Sequence, residues 1–350
     1  MEKVLRKGWT TGACAAAAAA SAWRALRLGA FAGPVAIALP RGEAPAFPLS
    51  RAERDGPAAI AGVIKDAGDD PDITHGAEIV VRVEPLPPGS GLRFQAGEGV
   101  GTVTLPGLPL AVGEPAINPG PRAQIEANMR AVAEPVDALV TVSIPGGEAL
   151  ARQTMNPRLG IIGGLSILGT TGVVIPYSCS AWIHSIHRGV DVARAIGLDH
   201  LGGCTGKTSE EAVRRLCGLD ERAMIDMGGF VGALLKYVRV HPVRRLTIGG
   251  GFAKLAKLAA GEMDLHSKAA SVDLELLRRL LAELSDDAAL HAQAAEAVTA
   301  AQILKLAGDL PLGDLVARRA RETALAVLSG GTEVELMLFD RAGKLVGHAG

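Results

Sequence analysis

Hydrophobic and polar residues follow two different patterns along this chain, and the change divides it. Small apolar residues from 11 to about 28 read as a helix, which the hydroxyl of Thr10 or Thr11 can cap. Residues 34–40, 60–66, 78–84 and 137–144 alternate or run apolar and read as strands. Residues 85–101 are rich in turn formers, while Pro119 and Pro121 suit the start of a helix over 122–133. Strands and helices do not alternate regularly here, so residues 1–160 are expected to form an α+β domain.

Beyond that point the order is strand, glycine turn, helix, three times over. Residues 200–204 precede a helix at 209–216, 224–227 lead to a helix at 230–237, and 244–248 lead through Gly249, Gly250 and Gly251 into a third. A short strand at 173–176 and a helix at 181–196 come before them. This repetition predicts a Rossmann-like parallel sheet over 161–350, with a ligand crevice at the carboxyl ends of its strands. Residues 273–329 are rich in Ala and Leu and read as helical, and 333–348 read as a hairpin turning at 340–343. The fold class expected is mixed α/β.

Composition narrows the function. With 350 residues, two cores are affordable, and 48% hydrophobic with 21% charged residues fits a globular enzyme rather than a disordered chain. A net charge of -1 and 3% aromatic content argue against a nucleic-acid partner. The 4 cysteines form no CxxC pair, which indicates free thiols rather than a zinc ribbon or a disulfide framework. No apolar stretch approaches the ~20 residues of a membrane span. Basic residues at 2–7 before small apolar ones at 14–22 imitate a secretory signal. Arg24 and Arg27 follow at once, however, and alanine is a weak membrane signal, so a buried first helix in a cytoplasmic protein is expected.

The densest chemistry lies at 156–172, where glycines, Ser166, Thr170 and Thr171 sit among aliphatic residues. Such a run is too apolar for a linker and too rich in glycine for a helix. It implies close approach of backbone to another strand or to a ligand, and Arg158 with the Thr pair favours a ligand. Residues 202–208 imitate a phosphate-binding loop, but Leu201 stands where its first glycine belongs. Gly249, Gly250 and Gly251 open a helix whose positive end suits a carboxylate, although Lys254 breaks the dinucleotide fingerprint. Asp66, Asp69, Asp70, Asp72 and His75 crowd one segment without EF-hand spacing; they form either an Asx-rich turn or a polar rim in which His75 carries a proton. His184 and His187 lack a third ligand at useful spacing, so no metal is assigned. Arg122 and Arg158 follow Asn-Pro turns that could aim them at carboxylates.

Several motifs in order carry a resemblance. They are Gly8-Trp9-Thr10-Thr11-Gly12-Ala13-Cys14 before the alanines, the acidic segment from Lys65 to Gly76, Gly99-Val100-Gly101-Thr102-Val103-Thr104, Pro115 to Arg122, the run from Asn156 to Gly172, and Gly249 to Gly261 leading to His266-Ser267-Lys268. Together the chain resembles the CbiD family of anaerobic cobalamin synthesis, from about Leu5 to His266. Departures are Gly229 before Phe230, where asparagine is expected, and the apolar approach to His266. The resemblance implies a methyltransferase that uses S-adenosylmethionine to methylate C-1 of cobalt-precorrin-5B, giving cobalt-precorrin-6A. Cobalt would belong to the substrate only, and a homo-oligomer is left open. The site residues then expected are His75 and Asp72 for proton movement and Thr10, Thr11, Arg122 and Arg158 for the corrinoid. Gly163, Gly164, Thr170, Thr171, Gly249, Gly250 and Gly251 are expected to contact the cofactor. Two other classes stay open: a non-catalytic carrier of corrinoid intermediates, and a nucleotide-using enzyme built on the 202–208 loop.

Overall fold

The computed structural model describes residues 5–266 and 271–350, so Ser267 and Lys268 of the last motif lie outside the described residues. The chain forms two compact units, Met1–Cys179 and Ser180–Gly350. The boundary therefore falls later than 160/161. Ile161–Ile162 pairs with Thr102–Val103 and Val173–Val174 with Gly8–Trp9, which keeps the glycine-rich run in the first unit. Two-residue ladders of this kind leave no periodic signal in a sequence.

In the first unit the helix Thr11–Leu28 begins where Thr10 Oγ1 accepts the N–H of Ala13 at 3.2 Å. It ends at Gly29, whose φ of 85° is left-handed. Residues Ala13 to Ala20 are buried against the helix Pro119–Val132 and a five-stranded sheet. The run is thus a core element. Alanine has no side chain beyond Cβ, so helix and sheet can approach closely. The sheet order is Arg51–Asp55, Ala58–Ile64, Glu78–Pro85, Ala138–Ser143, Leu92–Ala96, antiparallel throughout except for the last, parallel pair.

Three sequence expectations change here. Arg51–Asp55 is an edge strand whose last four residues are exposed, so it carries no apolar alternation to detect. Leu92–Ala96 is a strand inside the segment read as turns; it is short and only half-buried. The strand expected at 34–40 contracts to Val35–Ala36, paired with Ala46–Phe47, between prolines that cannot donate to a ladder.

The second unit carries an open sheet in the order Met224–Asp226, His200–Cys204, Arg245–Gly251, Glu333–Phe339, Leu345–Ala349. The first four strands are parallel and the last is antiparallel. The chain leaves His200–Cys204 in one direction to form Met224–Asp226, then returns to its other side with Arg245–Gly251. The order therefore reverses between His200–Cys204 and Arg245–Gly251, and an open sheet has its ligand crevice at such a switch point. Gly249, Gly250 and Gly251 are not a turn. They continue the strand, pairing with Met337, Leu338 and Phe339. Gly249 is required for packing: a Cβ there would stand 2.4 Å from Val213 Cγ2 on the helix Lys207–Cys217. The Ala/Leu-rich segment forms the helices Leu274–Ala282, Ala288–Glu296, Ala300–Ala307 and Leu312–Leu328. The closing hairpin forms as expected, with its first strand also extending the parallel sheet.

Candidate active site

A cavity of about 1210 Å³ opens at the carboxyl ends of the second unit's parallel strands. Its floor is residues 205–209, 251–254 and 339–342, which follow three of those strands, and its wall includes Val272, Val298 and Leu304. It lies at the switch point. Four helices begin on it, and their N-termini differ; Leu274–Ala282 is capped by the side chain of Asp273. Ala300–Ala307 is closed by a capping box between Thr299 and Gln302. Lys207–Cys217 and Phe252–Ala259 start after Gly206 and Gly251, and no side chain caps either. Their first-turn N–H groups and the positive ends of both helices are therefore offered to an anion.

The glycine triplet divides at this site. Gly251 lines the cavity, and a Cβ on it would meet nothing within 4 Å. A Cβ on Gly250 would stand 2.9 Å from Thr205 and 3.0 Å from Leu255, so Gly250, like Gly249, serves close packing. Lys254 donates to the carbonyl of Thr205 at 2.8 Å. Burial lowers its pKa from the ordinary lysine value, and Asp226 opposes that shift. In the 202–208 loop, Gly202 and Gly203 lie within the strand. Lys207 is almost fully exposed beside Glu211, so it does not fold over the loop as a phosphate-binding lysine would.

In the first unit the glycine-rich run is held by its own backbone. Buried Asn156 donates to the carbonyl of Gly164 at 3.2 Å and accepts from Ser166. A Cβ on Gly164 would lie 2.2 Å from the carbonyl oxygen of Gly99, whereas Gly163, at φ 88°, faces open space. Gln124 donates to the carbonyl of Thr170, and the Thr171 hydroxyl accepts from the N–H of Val173. Thr10 donates its N–H to Gly172 as well as capping the first helix, and Thr11 is buried in that helix. The run and the residues just after it expose Ile162, Leu168, Ile175 and Tyr177, and Arg158 near the start of the run is half-buried.

Arg122 is engaged locally. Its guanidinium donates to the carbonyls of Ile117 and Pro115 and to Glu114, at 2.7, 3.2 and 2.7 Å, and lies 5.3 Å from the ring centre of Phe94. It fastens the loop before its own helix.

The acidic segment is a web of partners. Buried Lys65 binds Asp72 and Thr74, and Asp72 also accepts from the N–H and hydroxyl of Thr74 at 2.8 and 2.6 Å. Burial pushes the Asp72 carboxyl up, but the Lys65 ammonium and these hydrogen bonds outweigh it and hold the group below the usual carboxylate range. Hydrogen bonds from the Arg6 side chain, then from the Gly68 N–H, bring Asp66 down to about 2. Asp69 accepts from the Arg6 N–H, and Asp70 from the N–H of Tyr177. His75 is half exposed, and its Nδ1 accepts from the N–H of Ala67 at 3.1 Å. In the neutral ring this bond uses the Nδ1 lone pair and places the hydrogen on Nε2, which is then a donor.

Among the described residues, His200, Cys217 and Glu335 are a trio whose ligand-type atoms come within 4.8 Å of one another. The Thr247 hydroxyl bridges His200 Nε2 at 2.8 Å and Glu335 at 2.7 Å, and Arg245 pairs with the same carboxylate at 2.8 Å. The group is thus satisfied as a hydrogen-bonded network. Sequence reasoning passed over Asp340, Arg341 and Lys257. The first two follow the fourth parallel strand, whose place in the sheet only pairing reveals.

The chain matches the CbiD family model over residues 1–176 and the model of the CbiD C-terminal domain over residues 264–350. It is 56% identical over 99% of its length to a cobalt-precorrin-5B C(1)-methyltransferase of Paramagnetospirillum magneticum, covering 99% of that protein. It is 57% identical over 99% of its length to the enzyme of the same name from Rhodospirillum rubrum, covering 98% of it. A crystal structure of a cobalamin biosynthesis protein, CbiD, from Archaeoglobus fulgidus aligns at 28% identity with a TM-score of 0.42, over 76% of this chain and 83% of that one. The likeness to the two bacterial enzymes runs through both units and takes in the stretch that neither family model covers, so the chain belongs to the CbiD family.

Proposed function

We propose that S-adenosylmethionine is the methyl donor and that the crevice at the second unit's switch point holds it. The activity, methylation of cobalt-precorrin-5B at C-1 in cobalamin biosynthesis, rests on relatives that share 56% and 57% identity along nearly the whole chain. The single observation that carries the donor site is the pair of uncapped helix starts at Lys207–Cys217 and Phe252–Ala259, facing one cavity. Their N–H groups suit the donor's carboxylate, and the cavity of about 1210 Å³ has room for a drug-sized ligand.

The donor supplies a methyl group already activated on a sulfonium; the C–S bond breaks with its electron pair left on sulfur as carbon C-1 bonds to the methyl. The protein therefore needs no nucleophile of its own, and its contribution is alignment and exclusion of water. Where a proton must move, His75 is the side chain we assign to it, because Asp72 is committed to Lys65. For the corrinoid we assign Arg158 and the exposed apolar residues of the glycine-rich run. Arg122 is left out because its donors already hold residues 114–117. The product is cobalt-precorrin-6A, and the site of action is the cytoplasm. Among the described residues no helix is long and apolar enough to cross a membrane.

The test is direct. Purified protein with cobalt-precorrin-5B and S-adenosylmethionine should give a product heavier by one methyl group, and S-adenosylhomocysteine should bind it in calorimetric titration. Methyl transfer with a donor bound only by the first unit, seen in a co-crystal, would move the donor site.

A further inference from the structure

Beside the crevice, and sharing Ala253, Lys254 and Val272 with it, lies a second cavity of about 270 Å³. Gly229, Lys254, Lys257, Leu265 and His266 line it. Its chemistry is lopsided. Lys257 is only 6% exposed, yet the acceptor its ammonium meets is the carbonyl of Leu265, at 2.9 Å. Lys254, which is exposed, likewise meets one carbonyl, that of Thr205. An ammonium has three donors, so among the described residues each retains two without a protein acceptor. Among the described residues no carboxylate lies within 4.0 Å of either nitrogen, the reach of an ion pair. Asp264 and Asp226 act on Lys257 and Lys254 only at longer range and hydrogen-bond elsewhere: Asp264 accepts from the N–H and Nδ1 of His266 at 3.0 and 2.9 Å, and Asp226 from the N–H of Gly228. Among the described residues the lining thus offers two ammonium groups and an imidazole, and no acid.

Burying a charge without a counter-charge is among the least favourable arrangements a fold can hold. Elsewhere the fold avoids it: the other buried lysine among the described residues, Lys65, is covered by Asp72. We infer that the cavity of Lys254, Lys257 and His266 is an anion subsite that takes a carboxylate arm of the corrinoid acceptor. Carboxylate is the chemistry because the macrocycle carries acetate and propionate arms. The acceptor is the source because, on the reading of the crevice given above, the two uncapped helix starts already serve the donor's single carboxylate. His266 walls the same cavity; its ring donates through Nδ1 to Asp264 and packs 4.7 Å from Phe230.

The experiment compares wild type with Lys257→Met, which keeps the side chain's length and removes the charge. Lys254→Met, at the more exposed position, is the second variant if the first does not fold. Each is titrated with S-adenosylhomocysteine and with two cobalt corrinoids, one with free carboxylates and one with them amidated. Wild type should prefer the free acid at least 10-fold. Lys257→Met should lose that preference and raise the acceptor KM at least 10-fold, with S-adenosylhomocysteine affinity changed less than 2-fold. Weakened S-adenosylhomocysteine binding with an unchanged corrinoid preference would give the subsite to the donor and overturn the assignment to the acceptor. Unchanged binding of both, in an enzyme that still methylates, would overturn the subsite while leaving the function intact.

Discussion

Lys65 is buried with its ammonium against the carboxylate of Asp72, and Thr74 binds both partners. The relationship explains the acidic segment as a device that neutralises a buried lysine at the end of the strand Ala58–Ile64. It is also the reason we assign the proton to His75 rather than to Asp72.

Asp72→Asn should therefore destabilise the first unit by about 3–5 kcal/mol, the cost of breaking a buried pair and leaving one charge alone. Lys65→Met together with Asp72→Asn should recover much of that loss. Urea unfolding of the three proteins measures it. The pH dependence has a fixed sign. The folded pKa of Asp72 is depressed, so its contribution is complete above the unfolded value of about 3.9 and is lost as pH falls through the lower folded value. Wild type should lose stability more steeply than Asp72→Asn below about pH 4, and parallel curves would refute the pairing.

His75→Ala should lower the single-turnover rate of methyl transfer by ~10²–10⁴ with donor affinity intact, as expected for loss of a proton carrier. His75→Gln keeps an acceptor for the Ala67 N–H and cannot exchange a proton. If His75 only holds the loop, the glutamine variant will retain full rate.

The three glycines of the central strand should separate. Gly249→Val places new atoms against Val213 and should cost about 1–3 kcal/mol of stability, read as a lower melting temperature. Gly251 has φ -63° and open space ahead of it, so Gly251→Val should fold normally and weaken S-adenosylhomocysteine binding instead. Normal affinity in Gly251→Val would move the donor out of this crevice.

Arg122→Ala should destabilise the first unit by about 1–3 kcal/mol, because Glu114 and two carbonyls lose their donor. Arg122→Lys should rescue little, since one ammonium cannot reach the points a planar fork reaches. The acceptor KM of a folded variant should not change; a 10-fold rise in KM at wild-type stability would restore Arg122 to the substrate site.

The repeated strand–turn–helix pattern was legible because each unit of it is local. Apolar strands, glycines at their ends and amphipathic helices appear consecutively, and the sheet of the second unit follows them. The capping of the first helix by Thr10 is local too, a hydroxyl reaching an N–H three residues on. Arg51–Asp55 was not legible because an exposed edge strand is defined by its neighbour, not by its own side chains.

What the sequence determined by itself was the family, through motifs in order, the mixed α/β class, and the short-range structure that periodicity and capping impose. What only the tertiary structure decided was the use of individual residues. Gly249 and Gly251 are alike in sequence, yet one is pressed against Val213 and the other faces a cavity. Lys65 and Lys257 are both buried lysines, yet one has a carboxylate and the other a carbonyl. Steric space and counter-charge come from atoms distant along the chain and near in the fold, so no local pattern encodes them.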